Sequence, residues 1–328
     1  MIRFFKSPQP AALFTIPVII VVLWGQIFLN CKPVAVESSM PLWNLLSSFF
    51  SAFPSWLNFI FMLALISGTA IYLNVVLNKH EVLYKNSYLP SFVYALYISS
   101  IPAFLCFHPI HFVNILVIRI FDKVFGLFKN ERPVAPIFDF AFLAGTVCLL
   151  YFPATVIIPL LLISMLIIRP WNFREWMIMF VGIALPFFFV LVWMFWIKDL
   201  PGFVKSYIEV FKSIRPEWTI TTGKALITLA SLLGFWLFAS LLKLRMNYLK
   251  NIVRTRSNQQ IVFLMLLFFS GAIFLTGKIS LTSFALLAIP FSTFGAYYLV
   301  SAKKRIQFYE IFLWMVVAAV VWCRLQIS

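Results

Sequence analysis

Apolar stretches about as long as a bilayer is thick, separated by short gaps rich in Lys and Arg, run from Ala11 to Cys323. Crossing a hydrocarbon core of roughly 30 Å takes about 20 apolar residues of helix. No water is available there, so every backbone polar group must be satisfied inside a helix or a closed barrel. Barrel strands alternate apolar and polar residues in short segments. These runs are continuous, and 63% of the chain is hydrophobic against 11% charged. The expected fold is therefore all-α: a polytopic integral membrane protein, with residues 1–328 forming one transmembrane domain.

The spans fall at roughly 11–30, 56–78, 90–107, 110–128, 137–152, 154–168, 176–197, 225–242, 260–277, 280–300 and 308–324. That is about 11 helices, within a range of about 9–12. The fifth and sixth are short and meet at Tyr151-Phe152-Pro153, where proline favours a break. Charge decides how to count them. If 137–168 is a hairpin of two crossings, 18 of the 26 Lys and Arg residues fall on one side. If it crosses once, the split drops to 15 against 11 and puts the clusters Lys243–Arg256 and Lys303–Arg305 outside. Short cytoplasmic loops carry the excess of basic residues, which favours the hairpin and a cytoplasmic N-terminus. Arg3 and Lys6 precede an apolar run, Ala11–Leu29, longer than the core of a signal peptide, so that run is expected to be the first membrane helix.

The net charge of +16 is scattered over the gaps and does not form one patch interleaved with aromatics, so nucleic acid is not an expected partner. Membrane lipids are, through anionic headgroups. Cys31, Cys106, Cys148 and Cys323 are isolated and read as small apolar fillers.

Two outer segments have amphipathic spacing. Residues 41–56 place Leu42, Leu45, Leu46, Phe49 and Phe53 on one helical face. Residues 202–218 do the same with Phe203, Tyr207, Ile208, Phe211 and Ile214. Both are expected to be interfacial helices on the outer face, apolar side down. Residues 243–260 form a basic cytoplasmic connector.

Few residues offer chemistry. Glu37 is the only carboxylate of the first outer segment, where a general base acting on a lipid-linked donor would stand; the plainer reading is a solvated glutamate. Lys205, Lys212 and Arg215, in the second, are candidate ligands for a substrate phosphate, or contacts for anionic lipid. Asp139, at the edge of a span, is either a working acid or one half of a structural ion pair. His108 and His111 share a helical face at i, i+3, but two ligands do not make a metal site, and capping by His108-Pro109 is the favoured role. Asn58, Asn74 and Asn114 are expected to hydrogen-bond between helices. The turn Arg169–Trp176 reads as an interfacial belt of Trp and Arg. Neither a metal nor a cofactor is expected. Phosphate-cradling glycine loops, serine-nucleophile elbows and His-Glu-x-x-His zinc motifs are absent from the sequence.

The phrases Asn86-Ser87-Tyr88-Leu89-Pro90, His108-Pro109, Phe138–Gly145, Tyr151-Phe152-Pro153 and Arg169–Trp176, in that order, resemble a family of uncharacterised multi-spanning membrane proteins from Bacteroidetes. The resemblance implies the inner membrane of a Gram-negative bacterium. The first outer loop with its in-plane helix also resembles membrane glycosyltransferases that use polyprenyl-phosphate sugars, although Glu37 stands without the neighbouring acids usual there. The expected function is therefore an envelope protein handling or transferring a polyprenyl-linked glycan at the outer face. Two alternatives remain: a non-catalytic subunit or scaffold with membrane protein partners, and an ion- or proton-coupled transporter.

Overall fold

A computed structural model describes residues 2–6, 11–24, 41–104, 107–128, 130–198, 200–212, 217–218, 223–275, 278–301 and 306–327. Those residues are almost entirely helical: α1 (Ile2–Lys6), α2 (Ala11–Trp24), α3 (Pro41–Ser51), α4 (Ser55–Lys79), α5 (Leu89–Ile98), α6 (Pro109–Phe125), α7 (Val134–Leu150), α8 (Ile157–Ile168), α9 (Phe173–Trp196), α10 (Leu200–Lys212), α11 (Lys224–Asn247), α12 (Val253–Ala272), α13 (Ala288–Val300) and α14 (Ile306–Ile327). Short 3-10 segments, up to the seven residues of Leu281–Leu287, lie beside several of them. Five segments are long and apolar enough to cross a membrane: Ser55–Lys79, Phe173–Trp196, Lys224–Lys250, Val253–Leu275 and Leu281–Val300. Shorter apolar helices lie between them.

Each expected span contains a helix, and long-range contacts sort the gaps into two ends. At one end, the Tyr88 amide donates to Phe5 O, and the Tyr84 hydroxyl to Val300 O. Thr255, Asn258 and Gln259 of α12 donate to the carbonyls of Glu81, His80 and Val82. Arg169 Nη1 donates to Leu127 O and Asn130 O. We call this the basic end. At the far end, Trp24 Nε1 donates to Ser99 Oγ, Tyr97 OH to Phe284 O, and His108 meets the Tyr151 ring edge-on. Residues 134–168 accordingly run from the basic end to the far end and back, because Asp139 and Arg169 sit at one end and Tyr151 at the other.

Local chemistry explains the helix boundaries. His108 caps α6, its Nδ1 accepting from the Ile110 amide, with Pro109 in the first turn, where a missing N–H costs nothing. Asn172 caps α9 by accepting from the Arg174 amide. Glu81 leaves α4 with φ 53, a left-handed conformation unfavourable for a residue with a Cβ. The bond from Thr255 to its carbonyl holds it there.

Helix α5 is buried along its whole length beneath α4, α2 and α13. Trp236 of α11 fills the space between Phe291 and Phe312. The tightest crossing joins α7 and α9, where Gly145 and Gly182 let the two backbones approach.

Several boundaries differ from the sequence expectation. The third span is short, with α5 ending at Ile98 and a 3-10 turn following at Pro102–Phe104. The second amphipathic segment is described as helix over Leu200–Lys212, and Glu217–Trp218 instead pair in parallel with Lys278–Ile279. The 243–260 connector is mostly helix, since α11 and α12 run into it and a 3-10 turn at Tyr248–Lys250 lies between them. Its charges are therefore carried on two packed helices. Helix α3 buries Trp43 and Phe50 against Phe107 and leaves Leu45 and Phe49 exposed. The stripe predicted to face lipid is thus shared between protein and surroundings.

Candidate functional site at the basic end

The richest polar cluster among the described residues centres on Asp122, in the last turns of α6. Its carboxylate is 7% exposed. Oδ1 accepts from Lys79 Nζ at 2.8 Å and His80 Nε2 at 2.9 Å. Oδ2 accepts from the Tyr72 hydroxyl at 3.2 Å and faces Arg119 Nη1 at 3.4 Å. Arg119 also donates to Tyr72 OH at 3.0 Å, so two residues of α4, the His80 that ends it and one residue of α6 converge on one carboxylate.

His80 links this cluster to α12. Arg254 Nη2 lies 3.2 Å from its Nδ1. A guanidinium has only donors, so Nδ1 must be the acceptor and Nε2 must carry the proton. The arrangement fits a neutral imidazole; a protonated ring would set an N–H against the Arg254 N–H. Burial is the main cause holding the His80 pKa below its ordinary value of 6.5, and it outweighs the opposing pull of Asp122.

The sign of the pH dependence follows. The unfolded chain takes up this proton first as pH falls through 6.5, so the stability His80 contributes is present above that value and lost below it. The melting temperature in detergent should fall from pH 7.5 toward pH 5.5 by more in the wild type than in His80→Gln. The limiting slope is about 1.4 kcal/mol per pH unit. Parallel curves would show that His80 does not carry the effect.

Among the described residues, three sizeable hollows open at this end. One of about 600 Å³ is lined by Glu81, Tyr84, Lys85, Asn86, Lys250 and Thr255, among others. A second, of about 580 Å³, shares Tyr84, Lys250 and Asn251 with it and adds Lys243, Asn247, Tyr297, Ser301 and Tyr309. The third, about 790 Å³, is a largely apolar groove between α11 and α12. Phe238, Leu241, Leu242, Phe263 and Leu264 form its walls, and Arg245, Tyr248 and Gln260 its polar mouth. Gln260 Nε2 donates to Tyr248 OH at 2.7 Å across that mouth.

The residues singled out from sequence are dispersed. Glu37 and Arg215 lie outside the described residues. Lys205 and Lys212 are exposed on α10 and line none of the three hollows. Asp139 pairs with Lys123 at 2.8 Å on the surface, the ion-pair alternative, with Lys123 as the partner. His111 Nε2 lies 3.1 Å from Phe104 O, and no group of three metal-ligating side chains occurs among the described residues. Asn58 donates to Phe50 O, and Asn114 to Tyr94 OH and Ala285 O, as expected of amides inside a helical bundle, whereas the buried Asn74 Oδ1 meets no hydrogen-bond donor among the described residues. Arg169 pairs with Glu175 at 3.1 Å while Trp171 stacks on Trp176, which makes that turn a structural tie. Cys148 and Cys323 are buried.

Sequence reasoning missed Asp122 and His80. One signal was readable: Arg119 and Asp122 stand at i, i+3 with Lys123 beside them, so an acid sits among cations near the end of an apolar helix. The convergence of Lys79, His80 and Arg254 on it was not readable, because α4 and α12 are brought together only by the fold. No protein family, curated protein or solved structure matches this chain.

Proposed function

We propose that this chain is a multi-pass protein of a bacterial inner membrane that holds a phosphate-headed lipid in the groove between α11 and α12. The lipid class is that of the polyprenyl-linked carriers of envelope glycans. In this reading the protein crosses the membrane eleven times, and the basic end faces the cytoplasm, where short loops rich in Lys and Arg belong.

The groove is the observation that carries the reading. It is apolar along its length, and Phe238, Leu242, Phe263 and Leu267 around it are exposed. In a bilayer such side chains face acyl chains, so the groove's natural occupant is a hydrocarbon tail. Arg245, Tyr248 and Gln260 at its mouth add a charge and hydrogen-bonding groups that suit a lipid phosphate. The reading moves the working end from the outer face, where the sequence pointed, to the basic end. Asp139 and His108, which a transporter would need as ion or proton sites, have structural contacts of their own.

Photocrosslinking tests it. A diazirine-bearing polyprenyl phosphate should label peptides covering 238–264 well above those covering 188–196, which also expose Phe and Trp to lipid. Arg245→Gln should reduce labelling by the phosphate probe about tenfold, the order expected for one charge-assisted hydrogen bond, and leave labelling by the uncharged alcohol unchanged. Equal labelling of both regions would end the proposal.

A further inference from the structure

The two polar hollows on the other flank of α11 have no part in the lipid groove. They share Tyr84, Lys250 and Asn251 in their walls, so they adjoin as two parts of one recess. Lys85 reaches it from the α4–α5 turn, Lys243 from the last turns of α11, and Lys250 from the turn before α12. None of these three lysines pairs with a carboxylate among the described residues, whereas Lys79, Lys123, Arg119 and Arg169 all do.

The floor of the recess supplies a second observation. Tyr297 is buried, yet its hydroxyl completes no hydrogen bond among the described residues; the Asn247 and Asn251 amides lie beside it without reaching good geometry. A buried hydroxyl left unsatisfied costs about 1–3 kcal/mol, so a hydrogen-bonding partner entering the hollow would be stabilised there. The hollow it lines contains Lys243 and Lys250 and no acid. The adjoining hollow mixes Glu81 with Lys85 and Asn86, which suits an uncharged polar group that both donates and accepts. Glu81 is held in place by the left-handed turn that Thr255 anchors.

We propose that this recess is a binding site for a phosphate ester carrying a polyol. The phosphate sits among Lys243, Lys250 and the Tyr297 hydroxyl, and the polyol lies toward Lys85 and Glu81. A tetrahedral dianion offers more acceptor positions than a carboxylate, and lysines serve it as point charges. The same chemistry occurs in free polyol phosphates and in the headgroup of a phosphatidyl polyol. The site lies on a different flank of α11 from Arg245, so the labelling result for the groove does not decide it.

Full-length protein in neutral phosphatidylcholine nanodiscs is titrated with glycerol phosphate. In a second arm, nanodiscs containing phosphatidylglycerol are compared with neutral ones by native mass spectrometry. Binding in the first arm assigns a soluble ligand; binding only in the second assigns the lipid headgroup. In whichever arm binds, the combined Lys85→Gln, Lys243→Gln and Lys250→Gln variant should weaken affinity at least about tenfold. Tyr297→Phe, which keeps volume and charge, should weaken it about threefold or more. Lys205→Gln with Lys212→Gln, on α10, should change nothing. The proposal is overturned if neither ligand binds the wild type. It is also overturned if Tyr297→Phe binds like the wild type, since attraction by loose surface charge would then explain any effect of the lysines.

Discussion

Replacing Asp122 with Ala should lower the unfolding free energy by about 3 kcal/mol, the largest loss expected of any charged side chain described. Removing one partner of a buried ion pair typically costs about 3–5 kcal/mol because the other charge is stranded. The lower end applies because Lys79 is 58% and Arg119 50% exposed, so water screens both once the carboxylate is gone. His80 lacks that recourse. It is buried, and without Asp122 its Nε2 proton faces no acceptor while Arg254 still occupies Nδ1. The turn after α4 should loosen with it, since His80, Glu81 and Val82 are the residues α12 grips. Thermal unfolding in detergent measures the loss, with Asp139→Asn as the comparison. That residue's pair with Lys123 is on the surface, and its removal should cost no more than about 1 kcal/mol. Equal shifts for the two variants would mean that the buried cluster does not stabilise the fold.

Gly145→Val should destabilise the bundle by about 1–3 kcal/mol or more, the cost of forcing volume into a closed contact. A Cβ at Gly145 would stand 2.5 Å from Ile183 O and 2.9 Å from Pro186 Cγ. The nearest obstacle is backbone, which cannot swing away as a flexible side chain would. On the facing helix, a Cβ at Gly182 would meet Ala141 Cβ at 2.7 Å. Helices in lipid gain little from burying apolar surface, because lipid is as apolar as they are, so close backbone packing carries more of their association. Gly68→Ala and Gly234→Ala are the controls: nothing lies within 4 Å of either built Cβ. Alanine there should be neutral or stabilising through helix propensity. If Gly145→Val melts with the controls, α7 and α9 do not pack as described.

Much of the architecture was legible because lipid enforces it locally. A run such as Phe173–Trp196 contains the whole reason for its helicity, and no distant residue is needed to predict it. Basic residues favour a hairpin of two crossings at 137–168, and the ties from Arg169 to Leu127 and Asn130 bring the two ends of that segment together. Helix ends were less legible. Pro41–Trp56 and Gly202–Trp218 were drawn from periodicity, which continues past the helix end at Ser51 and into the strand pair at Glu217–Trp218. The candidate site was hardest to read. Glu37, Lys205, Lys212 and Arg215 were chosen for their place outside the spans. The cluster that formed instead uses an acid inside α6 and a histidine at the end of α4.

From the chain alone came the solvent of these segments, their helical state and the end to which each basic gap belongs. All three follow from hydropathy and charge within a window of some twenty residues. The fold alone decided that Asp122 would meet Lys79, His80, Tyr72 and Arg119, that Arg254 would close on His80 across 174 positions of sequence, and that Lys243 and Lys250 would line one hollow with Tyr297 while Lys85 lines the next. Those contacts depend on which helices become neighbours. In a bilayer that choice rests on small residues and close packing, such as Gly145 against the α9 backbone, and hydropathy carries no record of it.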